Sequence, residues 1–293
     1  MLITTIVQSL LPPKPGAPDP WPQVVQRFEN SGLTPDFVLL NECLDWAADD
    51  DRLLRRARKD LGLSSLPLAV SASGLATVVL YRSETVGQPV AFRPPTDSDP
   101  GILHQDATGR SLHGWSIGWW QVGLPQPLAV CSFKLTPFSV DAARIEAAYV
   151  ASHIYRQGAY ALGGGDTNFS PAHPDNPPPD WTRQYPYNLG SRAIAGTARS
   201  AHPVADRSVA QQLADKGLDD VAWEWARASG DRCVLRPTSE FDRIDTCHVT
   251  PALTPAITGY HTLTNPDGAS DHDAVAFTLD TDLAVTGSEF DWR

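Results

Sequence analysis

The feature that most constrains this chain is the alternation of short, uninterrupted apolar runs with helix-patterned segments. "DFVLLNE" (36–42) has no polar face to give to water, so it predicts a strand covered on both sides. Further strand runs are read at "LITTIV", "LAVSA", "LATVVLYR", "WSIGWWQV", "PLAVCSFKL", "AYALGGG", "RIDTCHV", "ITGYHTL" and "DAVAFTLD". Between them lie helical patterns. "QVVQRFENSG" is closed by Gly32, and "DWAADDDRLLRRARKDLG" predicts a helix over 45–62. Its acids crowd the first half and its arginines the second, complementing the macrodipole. Ser139 is a good N-cap for a third helix, in which Val140, Ala143, Ala147, Val150 and Ile154 form one stripe before Gly158. "DRSVAQQLADKG" and "DDVAWEWARA" predict two shorter helices. The proline-rich "LPPKPGAPDPWP" (11–22) and the polar stretch 170–201 read as irregular loops, and loops as long as the second often carry function. No repeat and no linker of uniform composition divides the chain, which reads as a single domain over 1–293.

With 293 residues, 42% of them hydrophobic, the chain can bury a large core. No apolar run is long enough to cross a bilayer. The start has no basic leader and soon meets prolines, so a cytoplasmic location and no membrane span are expected. Cys43, Cys131, Cys233 and Cys247 have no C-x-x-C spacing, which argues against zinc and redox motifs. They read as buried thiols, with a Cys233–Cys247 bridge as the other option. The net charge of −11 argues against avid non-specific duplex binding and suits a small or metal-masked anionic substrate. No obligate protein partner is evident.

"YALGGGDTNFSP" (160–171) sets an acid and an amide behind three glycines. One reading is a strand ending in a tight turn, since Gly and Asn tolerate positive φ. The other is an active-site edge where small residues admit a substrate to the backbone. Comparable polar groups close other apolar runs: Glu42 after "DFVLLN", Lys134 in "CSFKL", and Asp271–His272 just before "DAVAF". Each alone could be a turn, a cap or a solvated charge. Their recurrence at strand ends, where α/β folds bind ligands, favours a site.

In order along the chain, "TTIVQS", "LLNE", "GLATVVLYR", "SFKL", "GGDTN", "FDRID" and "ASDHDAV" resemble the motif series of the endonuclease/exonuclease/phosphatase superfamily, from about Ile3 to Phe277. The resemblance implies an α/β (α+β) fold: a four-layer α/β/β/α sandwich of two mainly antiparallel sheets with outer helices. It also implies a phosphoric ester hydrolase. Such chemistry uses a hard divalent cation, Mg²⁺ or Mn²⁺, on oxygen ligands. Glu42 would be the principal metal ligand, with Asp271 a second and Gln8 standing where the family has Asn. Asn168 would contact the phosphate, and Asp166 would orient or deprotonate water. His272 would contact phosphate or act as base, held by Asp245 or by its rival Asp242. Lys134, one of only four lysines (with Lys14, Lys59 and Lys216), stands where most relatives have His. Its ammonium offers charge to a transition state but is a poor proton shuttle.

The expected partner is a phosphate-ester substrate, with nucleic acid one candidate. A phosphodiesterase or nuclease-like activity is the first reading. A phosphomonoesterase on a sugar, lipid or nucleotide phosphate is the second, and a binding protein with impaired chemistry the third. Trp181, Arg183, Tyr185, Tyr187 and Arg192 in the long loop are candidates for the substrate wall, by stacking and by phosphate contact. Trp115, Trp119 and Trp120 alternate like core residues.

Overall fold

Polar residues at strand ends form a site only if those ends converge, and the strand order makes them do so. The computed structural model describes residues 1–10, 19–71, 74–92, 113–155, 158–264 and 268–287. Residues 11–18 of the proline-rich loop lie outside the described residues.

From the N-terminus, β1 (Leu2–Ser9), α1 (Trp21–Asn30) and β2 (Phe37–Asn41) form a β-α-β unit. Then come α2 (Arg52–Leu61), the short β3 (Ser64–Ser65) and β4 (Ala69–Val70), β5 (Ala76–Tyr81), the single-turn α3 (Ser83–Val86) and β6 (Ala91–Phe92). After β7 (Trp115–Trp120), a second β-α-β unit joins β8 (Leu128–Lys134), α4 (Val140–Ile154) and β9 (Ala161–Asp166). The chain continues through α5 (Pro186–Arg192), α6 (Ser208–Asp215), β10 (Asp219–Asp220) and α7 (Val221–Ser229). It closes with β11 (Asp245–Val249), β12 (Ile257–Leu263) and β13 (Ala274–Asp280).

One sheet has the order β12-β13-β1-β2-β5-β3, with β4 also on β5, and the other has β10-β11-β9-β8-β7-β6. Among the described strands, only β1/β2 and β8/β9 pair in parallel. Three apolar layers separate four structural ones. Between the sheets, Val7, Leu39, Val130, Leu162, Cys247 and Phe277 pack around Trp120, which meets Phe37 and Tyr81 edge-on at 4.9 and 5.3 Å. Val24, Phe28 and Leu54 of α1 and α2 cover one outer face. Ala143, Ala147, Val150 and Ile154 of α4 cover the other, over Trp115, Trp119 and Phe133. Ser139 does cap α4, its Oγ accepting from the Ala142 amide at 3.3 Å. This is the four-layer sandwich expected.

Four local expectations need correction. The helix read over 45–62 begins only at Arg52, because Asp45, Asp49, Asp50 and Asp51 take left-handed backbone. Asp tolerates that region, and the Asp49 and Asp50 carboxylates meet Arg52 and Arg55 from a turn instead of lining a first helical turn. The triplet Gly163–Gly165 lies inside β9 and admits neighbouring protein, not substrate. A Cβ on Gly164 would lie 2.4 Å from Val7 Cγ2, and one on Gly165 would lie 1.7 Å from the Phe133 carbonyl oxygen. The loop over 170–201 contains the short helix α5 and a 3₁₀ turn at Trp181–Arg183. Finally, all four cysteines are free, and Cys233 is exposed where a buried thiol was expected.

Candidate active site

Side chains alternate along a strand, so the inward row of each strand can be followed to its end. In β8 it runs Leu128, Val130, Ser132, Lys134; in β9, Leu162, Gly164, Asp166; in β11, from the other direction, Val249, Cys247, Asp245. Lys134 lies beside Asp166 in parallel register, and Asp166 opposite Asp245. In the facing sheet the inward rows of β1 and β2 end at Ser9 and Asn41, which are also in register. Each inward stripe is mainly apolar, with Ser132 and Thr5 as interruptions, and ends in a polar residue. The two parallel pairs thus present their carboxyl ends at one edge of the sandwich, joined by the segment before β13 that carries Asp271 and His272.

At the centre lies the Lys134 ammonium, 2.5 Å from Asp166 Oδ2 and 2.9 Å from Glu42 Oε1. Burial alone would lower its pKa. The two carboxylates outweigh that and raise it above the ordinary lysine value, so it is a fixed cation. Asp166 also accepts from the Asn168 amide at 2.7 Å. Burial opposes its ionisation, but Lys134 and His272 hold its carboxyl below the usual carboxylate range. The other Glu42 oxygen lies 3.1 Å from Ser9 Oγ, which is 2.7 Å from Asn41 Oδ1. Glu42 and Asn168 both have left-handed backbone, φ 59° and 60°, an uncommon state for these residues that turns each side chain back over its strand end.

Asp245 and not Asp242 is the carboxylate at His272. Its Oδ2 is 2.7 Å from His272 Nδ1 and also accepts from Thr238 Oγ1 at 2.8 Å. Asp242 instead accepts from Ser170 Oγ and, at 2.7 Å, from the Arg243 amide. Burial would keep the His272 ring neutral. Asp245, with help from Asp166 and Asp271, overrides this and pushes it up to about 10. Burial pushes the Asp245 carboxyl up as well, so the pair keeps a proton between its members through neutral pH. The bond at Nδ1 leaves Nε2 as the ring atom for a ligand.

A cleft of about 400 Å³ joins these groups. It is lined by Glu42, Lys134, Asp166, Asn168, Asp271 and His272, and on the loop side by Arg183, Tyr185, Tyr187 and Arg192. Trp181 is not among its lining residues. Asn168 is held on both sides: Nδ2 donates to the Leu135 carbonyl at 2.8 Å, and Oδ1 accepts from Arg192 at 2.9 Å. Arg192 stacks over the Phe241 ring at 4.6 Å.

Gln8 is the candidate not brought to the cluster. Its Oε1 accepts from Arg27 at 2.7 Å, and its Nε2 donates to the Ser9 carbonyl at 2.5 Å. The neighbouring Ser9 reaches Glu42 instead, and its place at the end of β1 was the only sequence signal for it. Of the further lining residues not read from sequence, two bear on the chemistry. Phe138 stands exposed at the rim, near the stacked pair Tyr185–Tyr187. His113 lies just before β7, where burial and the Lys134 charge push its imidazole down to about 3.

The expected Mg²⁺ or Mn²⁺ fits these residues poorly. Among the described residues, no three His, Cys, Asp or Glu side chains gather around one position that could hold a metal ion. The Glu42 oxygen that would hold the cation holds Lys134, the Gln8 oxygen holds Arg27, and the Asp271 side chain is 53% exposed.

No family model matches the chain, and no curated protein matches it. Solved structures do. An endonuclease/exonuclease/phosphatase from Bacteroides vulgatus superposes with a TM-score of 0.62 at 12% identity, covering 96% of this chain and 99% of that one. An AP endonuclease from Archaeoglobus fulgidus gives 0.59 at 13% identity, over 95% and 99%. A mannosyl-6-phosphatase from Bacteroides thetaiotaomicron gives 0.58 at 13% identity, over 95% and 100%. The chain therefore has the endonuclease/exonuclease/phosphatase fold, as its motif order implied.

Proposed function

We propose that this protein is a phosphoric ester hydrolase, acting on a phosphodiester with at least one ring-bearing arm. The observation that carries the reading is the meeting, in one cleft, of the proton-sharing pair His272–Asp245 with the ionised Asp166 and the cations Lys134 and Arg192. Buried, preorganised charge of this kind stabilises an anion as its charge redistributes. Water oxygen attacks phosphorus and the bond from phosphorus to the leaving oxygen breaks. Asp166 takes the water proton, and His272 supplies its Nε2 proton to the departing oxygen, giving an alcohol and a phosphate monoester. Asp245 fixes the ring and supports its charge. The exposed aromatics Phe138, Tyr185 and Tyr187 at the rim suit stacking against a base or another flat ring. That favours a nucleotide-like diester over a bare sugar phosphate, although structural neighbours include both an AP endonuclease and a mannosyl-6-phosphatase.

The test is turnover of a generic phosphodiester, a phosphomonoester and a short DNA strand, with Asp166→Asn and His272→Ala as controls. Diester cleavage reduced about a hundredfold or more in both variants is expected. Equal turnover by wild type and variants would exclude this cleft as the source. Tight binding of the diester with no turnover would leave a binding protein.

A further inference from the structure

We infer that Lys134 is a resident cation: seated between Glu42 and Asp166, its ammonium takes the role for which a divalent metal was expected, and the site handles phosphate without a bound metal ion. This rests on the reading that the cleft takes phosphate esters. The Nζ lies 2.9 Å from Glu42 Oε1 and 2.5 Å from Asp166 Oδ2. A divalent ion at ligand distance from the same Glu42 oxygen, about 2.1 Å, would lie no more than about 5 Å from the ammonium, compete with it for that oxygen and repel it strongly. The lysine cannot readily withdraw. Its place is set by β8, in register with Asp166 on β9, and it is only 6% exposed. Its departure would leave Asp166, 1% exposed, without its cationic partner. Three other oxygens suited to a metal are directed elsewhere: Gln8 Oε1 to Arg27, Asp245 Oδ2 to His272 and Thr238, and Glu42 Oε2 to Ser9, which leaves the half-exposed Asp271 and the buried Asp245 Oδ1 as the uncommitted ones. Among the described residues Lys134 is also the only buried lysine, Lys59 and Lys216 being exposed.

The test is titration with Mn²⁺ alone, followed by calorimetry and by the Mn²⁺ electron paramagnetic resonance signal. Wild type is expected to show no saturable site. Lys134→Ala should gain one, with affinity on the order of a hundredfold above wild type, because two carboxylates lose their counter-charge. Adding Glu42→Gln should remove it again. Wild-type diester cleavage should persist in chelator. A saturable Mn²⁺ site in wild type that Glu42→Gln abolishes would overturn the inference, and so would cleavage that appears only with added metal; the second result would leave the hydrolase reading standing. No cleavage at all, with Mn²⁺ bound only by the lysine variant, would sink the hydrolase reading and support the cation. Lys134→Met, which retains an unbranched stem, serves the same comparison if the alanine variant does not fold, and the wild-type titration decides in either case.

Discussion

At the scale of single residues, the proton shared by His272 and Asp245 makes stability depend on pH in a definite direction. The ring carries its charge up to about 10 in the fold, against an ordinary value of 6.5. A group whose value is raised on folding contributes fully below the unfolded value, and that contribution is lost as pH rises through the folded one. The melting temperature of wild type should therefore fall between pH 6.5 and about 10. Asp245→Asn should start lower and fall less over that range, with the ring titrating near its ordinary value by NMR. Parallel pH profiles for the two proteins would show that the pair contributes nothing of the kind. Much of this was legible in sequence, because His and Asp beside apolar strands mark strand ends. What was not legible is aim. Gln8 and Ser9 are adjacent, and only the pleat decides that Ser9 faces Glu42 while Gln8 turns to Arg27.

At the scale of elements, glycines and one buried ion pair set how strands and helices meet. β8 and β9 can lie side by side as they do only because Gly165 has no Cβ, which would fall 1.7 Å from the Phe133 carbonyl oxygen. Gly165→Ala should cost about 3 kcal/mol or more by denaturant unfolding, since backbone must move. Gly190, inside α5, has nothing within 4 Å of its would-be Cβ. There Gly190→Ala should stabilise by roughly 0.5–1 kcal/mol through helix propensity. If both substitutions cost alike, close strand approach is not why the triplet is glycine. Arg243, 2% exposed, ties the start of β11 to α7 by meeting Asp220 Oδ2 at 2.5 Å and Oδ1 at 3.1 Å, while Asp220 also caps α7 through the Ala222 amide at 3.1 Å. Asp220→Ala leaves the buried guanidinium with the neutral Asn176 Oδ1 at 2.9 Å but no counter-charge, and removes a cap, so a loss of about 3–5 kcal/mol is expected by the same measurement. An effect within 0.5 kcal/mol would mean that Arg243 reaches water or another partner. The sequence pattern placed α7 but not this tie, because an arginine before a strand reads the same whether solvated or buried.

At the scale of the whole molecule, the strand order places chemistry from both halves at one edge, and the surface charge then governs which substrates arrive there. The residues marked polar strand ends, while two sheets and four layers were anticipated only through the resemblance of the motif order to the endonuclease/exonuclease/phosphatase superfamily. The role of Lys134 could not be read that way, since it depends on a distance between sheets. The cleft's cations are local, whereas the chain as a whole carries −11. A long polyanion is repelled by that field over about a Debye length, roughly 30 Å at 0.01 M salt and 8 Å at 0.15 M. A single diester meets mainly the nearby Lys134, Arg192 and His272. Raising salt over that range should thus lower KM for a DNA strand by several-fold while leaving KM for a small diester level or slightly raised. The ratio of the two constants measured at both salt concentrations isolates the long-range term, because the cleft chemistry is common to both substrates. If KM for the strand rose steeply with salt instead, strand binding would be driven by contacts between phosphates and a basic surface, and the acidic surface would not be what limits access to the cleft.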